Sequence, residues 1–209
     1  MLELKPEHIS AYSLILEEGT SFYDRYSEHG EEKDAIPDVI LDRTMYEHTK
    51  TILLSHGYNR YEISNYAKPG KECLHNIGYW KRVEYLGLGL GASSLLYHVR
   101  YRNLDTIISY EKALESSMKV RQVEEKLSKK AEMEEFMFLG LRLCEGVSKK
   151  DFKRQFSLTM EEVYGNKLVQ LQKAGLLMNV EDNVFLTDRG IDLSNQVFTE
   201  FLLDETNLS

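Results

Sequence analysis

The stretch VSKKDFKRQFSLTMEEVYGNKLVQLQKAGLLMNVEDNVFLT, residues 147–187, holds two helix starts, one helix stop and a hairpin in a single run. Ser148 with Asp151 resembles a capping box, and Val147 with Phe152 is set as its hydrophobic staple. Thr159 with Glu162, flanked by Leu158 and Val163, repeats the device. The second helix runs to Ala174 and stops at Gly175, a residue suited to the left-handed end of a helix. LLMNVEDNVFLT then spells two short apolar strands about Glu181, Asp182 and Asn183. Upstream, Met133, Phe136, Met137, Gly140, Leu141 and Cys144 recur at helical spacing and make an apolar stripe. Downstream, Thr187 caps a final helix through Phe201. Three helices and a hairpin in this order predict a winged-helix domain from residue 131 to about 205. A charged connector, KVRQVEEKLSKK, precedes it, so the composition shift near residues 120–130 divides the chain into domains 1–120 and 121–209.

The first domain alternates strand and helix signals. HISAYSLIL, residues 8–16, is rich in aliphatic and aromatic residues and reads as a strand buried on both faces, the pattern of a parallel sheet. A polar, glycine-punctuated loop with a short helix follows. Pro37 then opens a helix with Leu41, Met45, His48 and Ile52 on one stripe, closed by Gly57. YNRYEIS is the next strand, so residues 8–63 read as one right-handed parallel crossover. In EYLGLGLGASSLLYHVRYRN, Gly87, Gly89 and Gly91 predict a glycine-rich strand and loop, where backbone approaches another segment or a ligand closely, before a second strand. LDTIISYEKALESS, residues 104–117, is a short amphipathic helix.

Composition narrows the function classes. Hydrophobic residues make up 42% of the 209, which suits a globular protein with a core. No run of about 18 apolar residues and no signal-peptide pattern occurs, so the expectation is a cytoplasmic chain without a transmembrane segment. Cys73 and Cys144 stand far apart and are expected to stay reduced. A net charge of −8 works against broad binding to nucleic acid. The second helix of the winged-helix domain offers a DNA groove only Asn166, Lys167, Gln170 and Lys173 behind an acidic start, while Lys149, Lys150, Lys153 and Arg154 make the preceding helix basic. A packing or lid domain is expected in preference to a DNA-binding one, and no nucleic-acid partner.

The densest chemistry is CLHNIGYW, residues 73–80, which gathers a thiol, an imidazole, a carboxamide, a phenol and the only tryptophan. Zinc needs four ligands and the usual cysteine pairs are absent. A haem pocket needs an imidazole for iron and aromatic walls for the macrocycle. Tyr79 and Trp80 serve equally as ordinary core or rim aromatics, and the residues alone leave both readings open.

HISAYSLILEEGT, YEISNYAKPG, CLHNIGYW and YLGLGLGAS, in this order and spacing, resemble the second half of the radical S-adenosylmethionine family. Within it the similarity is to the oxygen-independent coproporphyrinogen III oxidases and their haem-chaperone branch, and the HN-x-x-YW segment resembles the chaperone branch. The resemblance implies an α/β fold class, a remnant of a partial (β/α) barrel, followed by a mainly α winged-helix-like domain. It implies that His75 ligates haem iron, with Asn76 fixing the local turn and Tyr79 and Trp80 lining the site. Cys73 is a candidate second soft ligand, expected to be incidental. Ile15 and Ser93 match positions that line the S-adenosylmethionine site. Glu62 and Asn65, at a strand end, are candidate ligand contacts or caps.

The family's cluster-binding C-x-x-x-C-x-x-C segment has no counterpart here. A 4Fe-4S cluster needs more thiolates than two remote cysteines supply. The expectation is therefore a truncated relative, catalytically silent by itself, with no catalytic residue of its own. Its partners by resemblance are haem or a porphyrin and a haem-accepting protein, with self-association through an exposed barrel edge. The alternatives are a fragment of a coproporphyrinogen oxidase and a winged-helix DNA-binding protein.

Overall fold

The computed structural model describes residues 1–203, so the end of the domain expected over 121–209 lies outside the described residues. The chain falls into two compact units, Met1–Cys73 and Leu74–Ser209.

In the first unit, β1 (His8–Ser10) and β2 (Asn59–Arg60) flank β3 (Asn65–Ala67), and both pair with it antiparallel. β1 and β2 therefore run in the same direction, as a crossover through the intervening helix requires. They are not neighbours. The chain turns back after β2 and inserts the wholly buried Asn65, Tyr66 and Ala67 between them. The long, doubly buried parallel strand expected over residues 8–16 is corrected accordingly: regular pairing ends at Ser10, and Tyr12, Leu14 and Ile15 are exposed.

The loop expected after it carries α1 (Ser21–Tyr26), capped by the Thr20 hydroxyl, which accepts from the Tyr23 amide. α2 (Val39–Ser55) starts where Asp38 accepts from the Leu41 amide at 2.8 Å. Its expected stripe faces outward. Leu41, Met45, His48 and Ile52 are exposed, and the helix buries Leu53 instead. The resulting core is small: Ile9, Leu53, Tyr58 and Tyr66, with Leu2 and Ala11 packed against it.

The second unit opens with α3 (Leu74–Trp80). A three-stranded antiparallel sheet follows, in the order β4 (Ser93–Leu96), β5 (Val99–Asn103), β6 (Arg121–Lys126), with α4 (Ile107–Glu115) between the last two. The charged connector expected near residues 120–130 is thus in part a strand. Its side chains suit an exposed edge, where only one row of backbone groups is paired, and Arg121 stacks on Tyr101 at 5.0 Å. Residues 86–92 are loop rather than the glycine-rich strand expected there. The close approach is real: a Cβ on Gly87 would lie 2.1 Å from the Ser93 carbonyl oxygen, and the buried Asn103 amide donates to the Gly89 carbonyl at 2.8 Å.

Beyond the sheet come α5 (Lys129–Gly140), β7 (Val147–Ser148), α6 (Lys149–Phe156), α7 (Met160–Lys173), and the hairpin β8 (Leu177–Val180) and β9 (Asn183–Leu186), with β7 pairing on β9. Both caps form. Ser148 Oγ accepts from the Asp151 amide, and Thr159 and Glu162 make a reciprocal capping box. Met133, Met137 and Leu141 are buried, as the stripe predicts, in a core with Phe152, Phe156, Met160, Tyr164, Val184 and Phe201. Phe152 is the hub of its aromatic contacts, 4.8 Å from Phe156, 5.4 Å from Phe136 and 6.0 Å from Tyr164 by ring centroids. The single final helix expected through Phe201 is two, α8 (Asp188–Asp192) and α9 (Ser194–Thr199). Leu193 leaves helical geometry between them, and beyond that bend Val197, Phe198 and Phe201 are buried.

Two outcomes test this packing. Gly146 has φ +67, and a Cβ there would sit 2.1 Å from the Val184 carbonyl oxygen, whereas Gly175 has φ +69 with nothing within 4 Å. Gly175→Ala should cost about 1–2 kcal/mol, the left-handed penalty alone, and Gly146→Ala clearly more, as read by urea unfolding. Asp182 accepts from the Ser148 hydroxyl at 2.6 Å and the Lys150 amide at 3.2 Å, and these bonds, the hydroxyl first, hold its carboxyl below the usual range. A lowered carboxyl contributes stability that is present above its unfolded value, about pH 4, and is lost as pH falls through the folded value. Between about pH 6 and about pH 3, Asp182→Asn should lose less urea resistance than the unsubstituted chain.

Candidate functional site

α3 is the CLHNIGYW segment folded: seven residues, with His75 and Tyr79 one helical turn apart on one face. Their rings meet edge to face at 4.6 Å. Tyr79 in turn meets Tyr85 edge to face at 4.7 Å. His75 is exposed, and among the described residues none hydrogen-bonds its ring. The other histidines with partners differ: His8 bonds the Tyr61 hydroxyl, His56 the Ile52 carbonyl, and His98 pairs with Glu132. An exposed imidazole nitrogen backed by a file of aromatic rings is able to coordinate a metal centre and to offer ring edges to a flat ligand. Burial pushes the Tyr85 phenol up, with nearby Arg100 acting the other way, so Tyr85 stays neutral and apolar toward Tyr79.

The far end of α3 is bound into the second unit. Trp80 lies beneath the Arg142 guanidinium, 5.0 Å from its ring centroid, and Trp80 Nε1 is buried without a hydrogen-bond partner among the described residues. Lys81 pairs with Glu145 at 2.7 Å. Arg82 has a side chain only 7% exposed, and its Nε donates to Glu135 Oε2 at 2.9 Å while Nη2 lies 3.7 Å from Glu132 Oε2. Arg100 on β5 donates to the other oxygen of Glu135, and His98 Nδ1 meets Glu132 Oε1 at 2.5 Å. Burial opposes the Arg100 charge, but the hydrogen bond and charge of Glu135 outweigh it and hold that guanidinium firmly protonated.

The structure therefore brings His75 and Tyr79 together, with Asn76 and Trp80 on the same helix. Asn76 stands inside the helix and not in a turn, a correction to the role expected of it. Cys73 ends the first unit, half-buried, and Cys144 is exposed in the second; neither is in a disulfide. Ile15 is 79% exposed in the irregular segment after β1, and Ser93 is exposed at the start of β4, so each belongs to a different compact unit. Glu62 and Asn65 are buried and used locally: Glu62 accepts from the Ser64 amide, and Asn65 accepts from Ser10 and donates to Tyr12. On α7, Lys167 pairs with Glu200, which reduces the cationic face available to a DNA groove. Sequence reasoning missed Tyr85, Arg82, Glu132 and Glu135. Tyr85 lies beyond the end of α3, outside any helical spacing, and buried glutamates on α5 break the pattern that marks a core face.

Residues 127–193 match the family model described as HemN C-terminal domain. The Heme chaperone HemW of Lactococcus lactis subsp. lactis (strain IL1403) is 43% identical over 206 residues, which cover 99% of this chain and 53% of that protein. The Heme chaperone HemW of Bacillus subtilis (strain 168) is 36% identical over 202 residues, covering 96% and 52%. The chain thus spans about half the length of these relatives. A solved structure, the coproporphyrinogen III oxidase (HemN) from Escherichia coli, described as a radical SAM enzyme, superposes with a TM-score of 0.73 over 96% of this chain and 49% of that one. At 17% identity that likeness shows the fold alone. The order of segments, the C-terminal domain match and the similarity to the HemW proteins over nearly all of this chain agree, and the chain belongs to the HemN and HemW family.

Proposed function

We propose that this chain carries the haem-receiving segment of a haem chaperone, with His75 giving the axial nitrogen to haem iron. Tyr79 offers a ring edge beside the ligand, Asn76 and Trp80 complete the helix that holds it, and the cargo passes to a haem-accepting protein. The observation that carries this reading is the exposed His75 imidazole, unengaged by any described hydrogen bond and backed by Tyr79 and Tyr85. A cargo ligand has to be reachable and releasable, and an exposed helix face meets both needs. The naming of two relatives at 43% and 36% identity as heme chaperones supports it. Cys73, the residue before α3, has no part in this reading.

On the same reading, residues 1–120 are part of a partial (β/α) barrel and residues 121–209 a winged-helix-like domain that packs and does not read DNA. The apolar residues left exposed on α2 and after β1 support a first unit that belongs to a larger barrel or self-associates there. No helix among the described residues is long and apolar enough to cross a membrane, and a cytoplasmic location fits the proposal. Ile15 and Ser93 keep the reading as positions that line an S-adenosylmethionine site in the family, while two cysteines fall short of the three thiolates that a 4Fe-4S cluster takes from it. The cysteines present do not fit a cluster, and no radical step is derived through them.

Haem titration followed by Soret absorption tests the proposal. The chain should give a saturable band, His75→Ala should weaken binding by at least about ten-fold, and Cys73→Ala should leave it unchanged. Equal behaviour of the chain and His75→Ala would remove the histidine from haem binding.

A further inference from the structure

Three consecutive residues at the end of α3 reach α5 or the corner that follows it. Trp80 packs under Arg142, Lys81 pairs with Glu145, and Arg82 enters between Glu132 and Glu135. Arg82 is the informative one. Its backbone is left-handed, φ +55, and the turn it makes closes α3: the amides of Lys81, Arg82 and Val83 donate to the carbonyls of Ile77, Tyr79 and Gly78. Glycine is the residue that such a helix end favours. An arginine there is explained by its side chain and not by its backbone. That side chain is almost wholly buried and meets two carboxylates one turn apart on α5, which His98 and Arg100 also contact. His75 and Tyr79 lie on the exposed part of the same short helix.

We propose that Arg82, clamped by Glu132 and Glu135, is a positioning residue that fixes the direction in which α3 presents His75 and Tyr79, so that α5 sets the geometry of the ligand face. The consequence for haem rests on the function proposed above; the consequence for α3 does not. A short helix hung from one locked end offers its ligand in one orientation, which is the requirement for a defined axial bond.

The chain holds a single tryptophan, Trp80, so its fluorescence reports the anchored end of α3 directly. Arg82→Gly removes the clamp while relieving the backbone, and Arg82→Lys keeps the charge. The expected result is that Arg82→Gly retains a cooperative thermal transition, shows greater acrylamide quenching of Trp80, and weakens haem binding by about 10- to 100-fold, the range over which supporting contacts tune a metal ligand. Arg82→Lys should recover part of both. Quenching and haem affinity unchanged in Arg82→Gly would overturn the inference and make Arg82 a helix terminator only. If the unsubstituted chain gives no Soret band, or His75→Ala binds as well, the haem reading fails, and Trp80 quenching alone then decides for or against the clamp. Should Arg82→Gly lose its cooperative transition, Glu135→Gln, close in shape and uncharged, takes its place and is read in the same way.

Discussion

Two like charges lie side by side on α5, and the second unit is arranged around them. Glu132 and Glu135 are three residues apart on one helical face, their side chains 10% and 9% exposed. Taking a carboxylate out of water costs several kcal/mol even after relaxation, and a second one a turn away adds repulsion. Arg82 from the end of α3, Arg100 from β5 and His98 from the β4–β5 turn supply the opposing groups. Such a knot adds little net stability compared with apolar packing. Its effect is selective: any arrangement that fails to bring those three groups to α5 leaves a buried charge uncompensated.

The knot also accounts for backbone that would otherwise look misplaced. Tyr97 and His98, the two residues between β4 and β5, both have positive φ, as a tight hairpin of the mirror-image turn types requires. Neither is a glycine or an asparagine. The turn is held from outside, by Glu84 accepting from the Tyr97 amide and by Glu132 on His98. Arg82 repeats the logic at the end of α3. In both places a side-chain contact to a carboxylate holds a conformation that local preference disfavours.

The opposite face of α5 does the apolar work. Met133, Met137 and Leu141 join the Phe152-centred cluster, so one helix has a face that stabilises and a face that orients. The first unit has no comparable centre: four buried apolar residues form its core while α2 leaves most of its apolar side chains in water. Relatives of about twice this length align with nearly all of the present chain. α3, with His75 and Tyr79, belongs to the better-packed of the two units.

Residues 147–187 were legible because their signals are local. Ser148, Thr159, Glu162 and Thr187 act on amides within the next turn, and the sequence places them wherever the fold sits. The CLHNIGYW segment was likewise legible as a place where chemistry gathers, and the ordered motifs were enough to name the family. Strand partners were not legible. HISAYSLIL carries the composition of a buried strand, yet pairing and burial are set by β3, which arrives some fifty residues later and takes the place between β1 and β2. The charged run at 121–126 is a strand only because β5 offers it an edge. Nor could the sequence assign Arg82 to Glu135, for the two are 53 residues apart and nothing in either stretch refers to the other. Sequence determines what each segment can do by itself, since capping, periodicity and residue chemistry act over one or two turns. Tertiary structure alone decides which distant charges meet and which edges pair, because those energies exist only once the segments are in contact.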